Sequence, residues 1–204
     1  MPTGVALRDA RTQLLAAGTR VLLRDGPAGI TSRTVTDEAG VAKGVLYRYF
    51  ADFDDFLASL VQDRINAVHA MAAELSDRAG QGTVVGNVSS ALMRVFDPLG
   101  LALVRLVFTR DELRARLRAG TPSGIPMLTE AVGALTEYLV AEQRLGRIVA
   151  GAAPAALAHA LIGTGHLLFA GELGGLPDES AVQEVVEAIV VGAEPGVDAP
   201  FDGR

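Results

Sequence analysis

Apolar residues recur at the spacing of an α-helix along most of this chain, and that spacing limits the folds open to it. Near the N-terminus Leu7, Leu14 and Val21 follow one another every seven residues, which places them on one helix face. Breaks that contain Gly and Pro separate further stretches of this kind, and we find no strand pair with hairpin signals. The sequence therefore predicts an all-α fold, in which 50% apolar residues supply a buried core.

The same pattern predicts where the helices lie. They cover approximately residues 7–24, 32–39, 42–49, 52–77, 84–96, 99–108 (with an extension to 118 left open), 127–145, 154–172 and 178–193. We expect Thr31 or Ser32 to cap the second helix and Asp52 to cap the fourth, because their side-chain oxygens can accept a hydrogen bond from a free backbone N–H. The ten residues from Pro195 onward are predicted to form a flexible tail.

The net charge of −6 is unevenly distributed along the chain. Residues 1–50 contain seven Lys and Arg against four Asp and Glu, a net charge of +3. The remaining 154 residues contain 11 basic and 20 acidic residues, a net charge of −9. A basic N-terminal segment joined to an acidic body confines attraction for phosphate groups to one end of the chain.

The most informative stretch is residues 30–56, ITSRTVTDEAGVAKGVLYRYFADFDDF. It predicts a short helix, a tight turn at Gly40 and Val41, and a second short helix, which is the order of a helix-turn-helix motif. Val35 and Val41 would lock the two helices together, with Leu46 facing the same core. The other face of the second helix would remain open to enter the major groove of DNA.

The residues expected on that open face suit the chemistry of duplex DNA. A lysine at position 43 can reach guanine O6 and N7, and the methyl groups of Val45 can touch a thymine methyl. Gly44 would let the backbone come close, and tyrosine hydroxyls suit phosphate oxygens. The candidate DNA contacts are Arg33, Lys43, Gly44, Val45, Tyr47 and Tyr49.

The run AGVAKGVLYRYF, preceded by a long helix ending at Gly26 and by Ile30-Thr31-Ser32, resembles the TetR family of repressors over about residues 8–57. The resemblance implies a DNA-binding head over residues 1–51 and an effector-binding and dimerisation body over residues 52–194. It also implies that the six candidate positions meet DNA and that the last two helices form a dimeric four-helix bundle. A repressor of this kind releases DNA when a small molecule occupies the body.

Four positions depart from the usual pattern of that family. Ala42 stands where Ser or Thr is usual and therefore lacks a cap or phosphate donor. Val45 replaces a Ser or Thr, so a hydroxyl contact becomes a methyl contact. Phe53 replaces a Lys, which removes one phosphate clamp, and Thr36 replaces an Ala. These departures change the expected half-site contacts but leave the expected fold unchanged.

Seven body residues are candidates to line a cavity for a small apolar effector, although residues of this kind are more often part of an ordinary core. They are Met93, Phe96, Phe108, Met127, Tyr138, His166 and Phe169. We expect no metal site, because His159 and His166 lack a carboxylate between them and the chain has no cysteine. No cofactor is expected either.

The 24 residues from Ile148 to Gly171 carry no charge and are long enough to cross a membrane. Their Ala- and Gly-rich composition, together with Pro154 and His159, instead favours a helix buried in a two-fold interface between two copies of the chain. Residues 1–10 contain no apolar core of a secretory signal. We therefore expect a cytoplasmic homodimer without a membrane partner.

Two other classes of function remain open beside the regulator. An all-helical enzyme would need a catalytic motif, and we find no G-x-S-x-G, no phosphate-binding glycine loop and no H-E-x-x-H. A ligand-binding or scaffolding protein without DNA function would show no steep loss of DNA affinity with salt. The favoured prediction is a regulator, not an enzyme, that binds a palindromic operator in double-stranded DNA and is released by an unidentified small molecule.

Overall fold

The computed structural model of the protein describes residues 4–118, 124–171, 175–190 and 192, with side chains from Ala10 onward. Within these ranges the chain forms α-helices and no β-strand, which confirms the all-α prediction. The side chain of Leu7 and the tail from Pro195 lie outside the described residues. The helices are α1 (Gly4–Gly29), α2 (Ser32–Glu38), α3 (Lys43–Tyr49), α4 (Phe53–Asp77), α5 (Val84–Val95), α6 (Pro98–Thr109), α7 (Asp111–Leu117), α8 (Leu128–Arg144), α9 (Pro154–Phe169) and α10 (Glu179–Val190).

Most predicted helix ends are confirmed to within a few residues. The regular part of the first helix stops as predicted at Asp25-Gly26-Pro27, because Gly26 adopts non-helical φ 70° and ψ −176°, and a short helical turn beyond this kink ends at Gly29. Glycine takes this backbone conformation at little steric cost. The stretch 99–118 forms two helices, because Arg110 has extended backbone (φ −127°, ψ 102°) and so ends α6 and begins α7.

Side-chain caps explain where two of the helices begin. Thr31 Oγ1 accepts a hydrogen bond from Thr34 N at 3.1 Å, and Thr34 Oγ1 accepts one from Thr31 N at 2.9 Å. Thr31, rather than Ser32, is therefore the N-cap of α2, in a reciprocal capping box. Asp52 Oδ1 accepts a hydrogen bond from Asp55 N at 2.7 Å, which confirms Asp52 as the cap of α4.

The described residues form two compact units, each built from segments distant in sequence. The first unit contains residues within 1–68 and 95–130, and the second contains residues within 69–94 and 131–204. The helix-turn-helix region thus shares its unit with α6 and α7. The functional boundary between residues 51 and 52 stays a prediction, because compactness alone does not define function.

The core of the first unit joins the N-terminal helices to α6 and α7. Its buried residues include Leu14 of α1, Leu46 of α3, Leu106 of α6 and Leu113 of α7. α1 packs closely at Gly18, where an added Cβ atom would lie 2.5 Å from the ring of Phe56. A glycine is needed at this position because the fully buried Phe56 ring fills the space.

The core of the second unit contains a buried polar network. The side chain of Glu142 in α8 is fully buried, and Gly80 N donates hydrogen bonds to its two carboxylate oxygens at 3.3 and 3.4 Å. Arg147 Nη1 lies 3.4 Å from the same carboxylate. Asn87 Nδ2 donates to Tyr138 Oη at 2.9 Å. Burial raises the pKa of Tyr138 above its ordinary value, as does its hydrogen bond with Glu142.

We expect Gly18→Ala to lower the free energy of unfolding by about 1 to 3 kcal/mol despite the better helix propensity of alanine, because the new methyl group would displace the Phe56 ring. Urea denaturation measures this change. The matched control is Gly133→Ala on an exposed face of α8, where nothing lies within 4 Å of an added Cβ. That variant should gain about 0.5 to 1 kcal/mol. Equal changes in the two variants would contradict the packing described for Phe56.

Candidate nucleic-acid interface

A tight turn connects α2 to α3 and sets the position of α3. Gly40 adopts φ 66°, and its N–H donates to Asp37 O at 3.2 Å. Val41 N donates to Thr36 O at 3.0 Å, which closes the turn. Val35 is fully buried, and Val41 packs partly buried against the same core. The arrangement is that of a helix-turn-helix, in which the second helix reads DNA.

One face of α3 is open to solvent and carries two basic side chains. Lys43, Gly44, Tyr47 and Arg48 are exposed, with Tyr47 at 46%. Residues at these spacings share one side of a helix. Leu46, on the opposite side, is fully buried in the core. We call these four exposed residues the open face of α3.

Two of the predicted contacts lie at the edge of this face rather than on it. Val45 and Tyr49 are partly buried and pack against the core of the first unit, whereas sequence analysis placed them in the exposed set. The reason is helical geometry, because Val45 directly precedes the buried Leu46 and Tyr49 directly precedes the buried Phe50. Their role as DNA contacts stays a prediction.

Arg48 is a basic residue of the open face that sequence analysis missed. Neither Lys43 nor Arg48 has a carboxylate or hydrogen-bond partner in the described part of the chain. The signal that could have found Arg48 is its spacing, since it lies four residues after Gly44 and next to Tyr47. The open face thus presents two cations that no group in the described ranges neutralises.

Other arginines of the N-terminal segment are engaged by carboxylates. Arg20 Nε and Arg24 Nη1 each lie 2.7 Å from an oxygen of Glu38, and these hydrogen bonds lower the pKa of Glu38. Arg33 Nε lies 3.6 Å from Asp37, and its side chain is 87% exposed. Among the described side chains of this segment, two cations without a carboxylate partner lie on α3 and one, Arg11, lies on α1.

Aromatic rings hold the C-terminal end of α3 on the core. Phe50 caps α3 and meets Phe56 edge to face, with ring centroids 5.1 Å apart. Phe53 stacks on Phe56 with centroids 5.6 Å apart. Phe53 therefore packs partly buried against the core at a position where the resemblance led us to expect a basic side chain. Arg11 of α1 covers the ring of Phe50, with Cζ 5.3 Å from the centroid.

The predicted effector residues are divided between the two units. Phe96 and Met127 are buried in the first unit and Phe108 is exposed there, whereas Met93, Tyr138, His166 and Phe169 belong to the second. Met93 lines a cavity of about 350 Å³ whose lining also includes buried Met71 and Leu75 and an ion pair between Arg94 and Glu74 at 2.5 Å. The described lining of this cavity does not include the other six residues, so their role in effector binding stays a prediction.

The uncharged run is only partly helical. α9 spans 16 residues of it, and its exposed positions include the small residues Ala156, Ala160 and Gly163. None of the helices in the described ranges has the length and apolarity that a membrane crossing requires. His159 Nδ1 donates to Ala155 O at 2.7 Å, and across the described residues no three His, Asp or Glu side chains cluster as metal ligands would.

Comparison with known sequences places this interface in a family. Residues 14–60 match the family described as bacterial regulatory proteins, tetR family. The HTH-type transcriptional regulator PksA of Bacillus subtilis is 35% identical over 68 residues, which are 32% of this chain and 33% of that protein. The HTH-type transcriptional regulator Rv1816 of Mycobacterium tuberculosis is 32% identical over 92 residues, 43% of this chain and 38% of that protein. The chain thus spans little more than a third of the curated relatives it matches.

Solved structures match over most of the chain. The reduced form of NemR from E. coli aligns with a TM-score of 0.70 at 18% identity, covering 92% of this chain and 100% of that one. The transcriptional regulator FadR from Bacillus subtilis, solved with stearoyl-CoA, aligns with a TM-score of 0.66 at 19% identity, covering 90% and 99%. At these identities the likeness shows a shared fold.

The anchored turn after α3 should be sensitive to acid through Asp52. The backbone N–H of Asp55 and the guanidinium of Arg116 lower the pKa of Asp52. A carboxylate whose pKa is lower in the folded chain stabilises the fold above its unfolded pKa, and this stabilisation is lost as the pH falls through the folded pKa. We therefore expect Asp52→Asn, which keeps the cap, to be less stable than wild type at neutral pH and to converge on it below about pH 4.

Urea denaturation at a series of pH values measures this difference. Asp178→Asn is the control, because Asp178 caps the first turn of α10 by accepting from Ala181 N at 2.9 Å, with no arginine on its carboxylate in the described structure. That substitution should change the stability at neutral pH less than Asp52→Asn does. A wild-type advantage over Asp52→Asn that is constant across the pH range would show that the charge of Asp52 is irrelevant.

Proposed function

We propose that this chain, which belongs to the TetR family of bacterial regulatory proteins, is a sequence-specific DNA-binding regulator that represses transcription until a small apolar molecule releases it. Residues 1–51 would form the DNA-binding head and residues 52–194 the effector-binding and dimerisation body, followed by a tail over residues 195–204. The proposed partners are a palindromic operator in double-stranded DNA, a second copy of the chain and an effector yet to be identified.

The observation that carries this proposal is the open face of α3. Its two cations have no carboxylate partner in the described residues, so they can neutralise DNA phosphates or read base edges without first breaking an ion pair. Gly44 adds no side chain between the helix backbone and the groove. In this assignment Lys43 reads guanine, Tyr47 and Arg48 hold phosphates, and Arg33 reaches the DNA from α2.

The edge residues have a smaller part in the proposed contact. Partial burial leaves Val45 and Tyr49 with some surface beside the open face, where a methyl group can meet thymine and a hydroxyl can meet phosphate. Because these side chains also pack against the core, their truncation would disturb the fold as well as the contact. Substitution of the two exposed cations, Lys43 and Arg48, therefore tests DNA contact with less effect on the fold.

We propose that two copies associate through the exposed small-residue face of α9. Ala156, Ala160 and Gly163 would let helices approach closely, and the adjoining Leu167 is 46% exposed. A two-fold dimer would present two copies of α3 to half-sites about 34 to 36 Å apart or a multiple of this distance. A palindromic operator follows from that symmetry.

The effector is proposed to bind in the body and to be coupled to DNA binding by about 1 to 3 kcal/mol, the usual range for linked sites. The cavity lined by Met93 in the second unit supports this part of the proposal, because its volume is at the lower end of those that hold small molecules. Its buried floor is apolar, which suits an apolar effector.

The first test of the function is the salt dependence of DNA binding. We expect Lys43→Ala and Arg48→Ala each to weaken binding to a duplex that the wild-type chain enriches from a random-sequence library. Arg48→Ala should also reduce the magnitude of the slope of log affinity against log salt by about 1, because one phosphate contact is lost, whereas Lys43→Ala should relax the preference for guanine, because a base contact is lost. Titration by fluorescence anisotropy at several salt concentrations measures both quantities.

The control for this test is Arg144→Ala, which removes the same charge from an exposed position in the second unit. It should leave both affinity and slope unchanged. If the Lys43→Ala and Tyr47→Ala double variant bound the duplex as tightly as the wild type, the assignment of these residues as DNA contacts would be wrong. Failure of the wild type to enrich any duplex would refute the proposed function itself.

The second test concerns the proposed dimer. We expect Ala160→Glu to convert the dimer into monomers, because the substitution would bury a carboxylate from each copy in an apolar interface. Sedimentation velocity measures the change in mass. Ala73→Glu, an identical substitution at an exposed position of α4, should remain dimeric. A dimeric Ala160→Glu variant would show that the interface lies elsewhere.

A further inference from the structure

We propose that Arg110 and Arg116 are positioning residues for α3, which they hold in place through the first turn of α4. Both arginines belong to the segment of α7, and neither lies on the open face of α3. The structural part of the proposal depends only on contacts within the first unit. Its consequence for DNA binding rests on the proposed function.

Arg110 binds the beginning of α4 in two ways. Its Nε and Nη2 atoms lie 3.1 and 2.8 Å from Asp54 Oδ1, so the guanidinium donates two hydrogen bonds to one oxygen. The same guanidinium lies over the ring of Phe53, with Cζ 5.7 Å from the centroid. A planar guanidinium can form both contacts at once, because its edge donates while its face covers a ring.

Arg116 binds the two carboxylates that close the turn between α3 and α4. Its Nη2 lies 2.6 Å from Asp52 Oδ2, and its Nη1 lies 3.4 Å from Asp55 Oδ1. The second oxygen of each carboxylate accepts a backbone hydrogen bond, from Asp55 N at 2.7 Å and from Ala51 N at 2.9 Å. Arg116 therefore fixes the side chains that fix the backbone of this turn.

The aromatic rings connect these contacts to α3. Phe53, which lies under Arg110, stacks on Phe56, and Phe56 meets Phe50 at the end of α3. Phe56 has no space to move into, since it is fully buried against Gly18. A displacement of the first turn of α4 would consequently be passed to α3 instead of being absorbed by loose packing.

α7 can act as a fixed support because it is anchored in the same core. Leu113 is fully buried and Leu117 is buried at its C-terminal end. The helix also supplies an internal comparison, because Arg114 pairs with Asp111 of α7 and not with a carboxylate of α4. Arg110, which directly precedes α7, and Arg116 within it both reach α4, whereas the ion pair of Arg114 stays within the helix.

A different explanation is that these arginines attract DNA directly by their charge. The direction in which Asp54→Asn changes the affinity for DNA distinguishes this explanation from positioning. Asp54→Asn makes the first unit more positive, so direct attraction predicts tighter DNA binding. Positioning predicts weaker binding, because Arg110 loses its partner. Arg110→Gln weakens binding under both explanations. Asp111→Asn makes the same charge change as Asp54→Asn without touching α4.

The experiment measures two properties of the wild-type chain and of Asp54→Asn, Arg110→Gln and Asp111→Asn. One is affinity for the duplex enriched by the wild-type chain, and the other is hydrogen exchange of the backbone amides of residues 43–50 without DNA. We expect Asp54→Asn and Arg110→Gln each to weaken binding about fivefold or more and to accelerate exchange in α3. Asp111→Asn should change neither property.

The measurements separate failure of this proposal from failure of the proposed function. Unchanged amide exchange in α3, or tighter binding by Asp54→Asn, overturns the positioning role. Accelerated exchange in a chain whose wild type binds no duplex supports positioning and refutes the proposed function. Overall stability should move little in every variant, because partly exposed ion pairs contribute little to it, and thermal unfolding checks that each variant remains folded.

Discussion

The packing of Phe56 against Gly18 is the contact on which the geometry of the first unit depends. It joins α1 to the beginning of α4, and through edge-to-face contact with Phe50 it also fixes the end of α3. The glycine at position 18 allows the ring to lie close to the backbone of α1. Because the ring is fully buried, the surrounding side chains fix its position. The exposure of the open face of α3 follows from this contact, because the residues that pack inward are held by it.

Local chemistry made much of the fold predictable from the sequence. The cap at Asp52 and the turn at Gly40 act within a few residues of themselves, so the sequence alone is enough to identify them, whereas it left the cap of α2 open between Thr31 and Ser32. The extended backbone of Arg110 was not predictable in the same way. No Gly or Pro marks that break, and the contact of Arg110 with Asp54 joins residues 56 positions apart.

The location of the candidate site was more predictable from the sequence than the residues that form it. Lys43 and Tyr47 lie on the open face as expected, whereas Arg48 was missed and Val45 and Tyr49 lie at its edge. The difference arises because the sequence indicates which residues are apolar but leaves uncertain how far a short helix is rotated toward its core. The residues that line a cavity were harder still to predict, since the spacing that marks a buried helix face is the same for a packed core and for the wall of a cavity.

The two ion pairs of Glu38 have a consequence for how a regulator of this kind would search a genome. One carboxylate engages both Arg20 and Arg24, which reduces the number of cations free to displace counterions from any stretch of duplex. Weak attraction to arbitrary sequence shortens each unproductive encounter, so occupancy of the correct site depends more on the fit of base edges than on bulk charge. If the chain binds DNA as proposed, it would discriminate against the large excess of competing chromosomal sites without very high affinity for its own site.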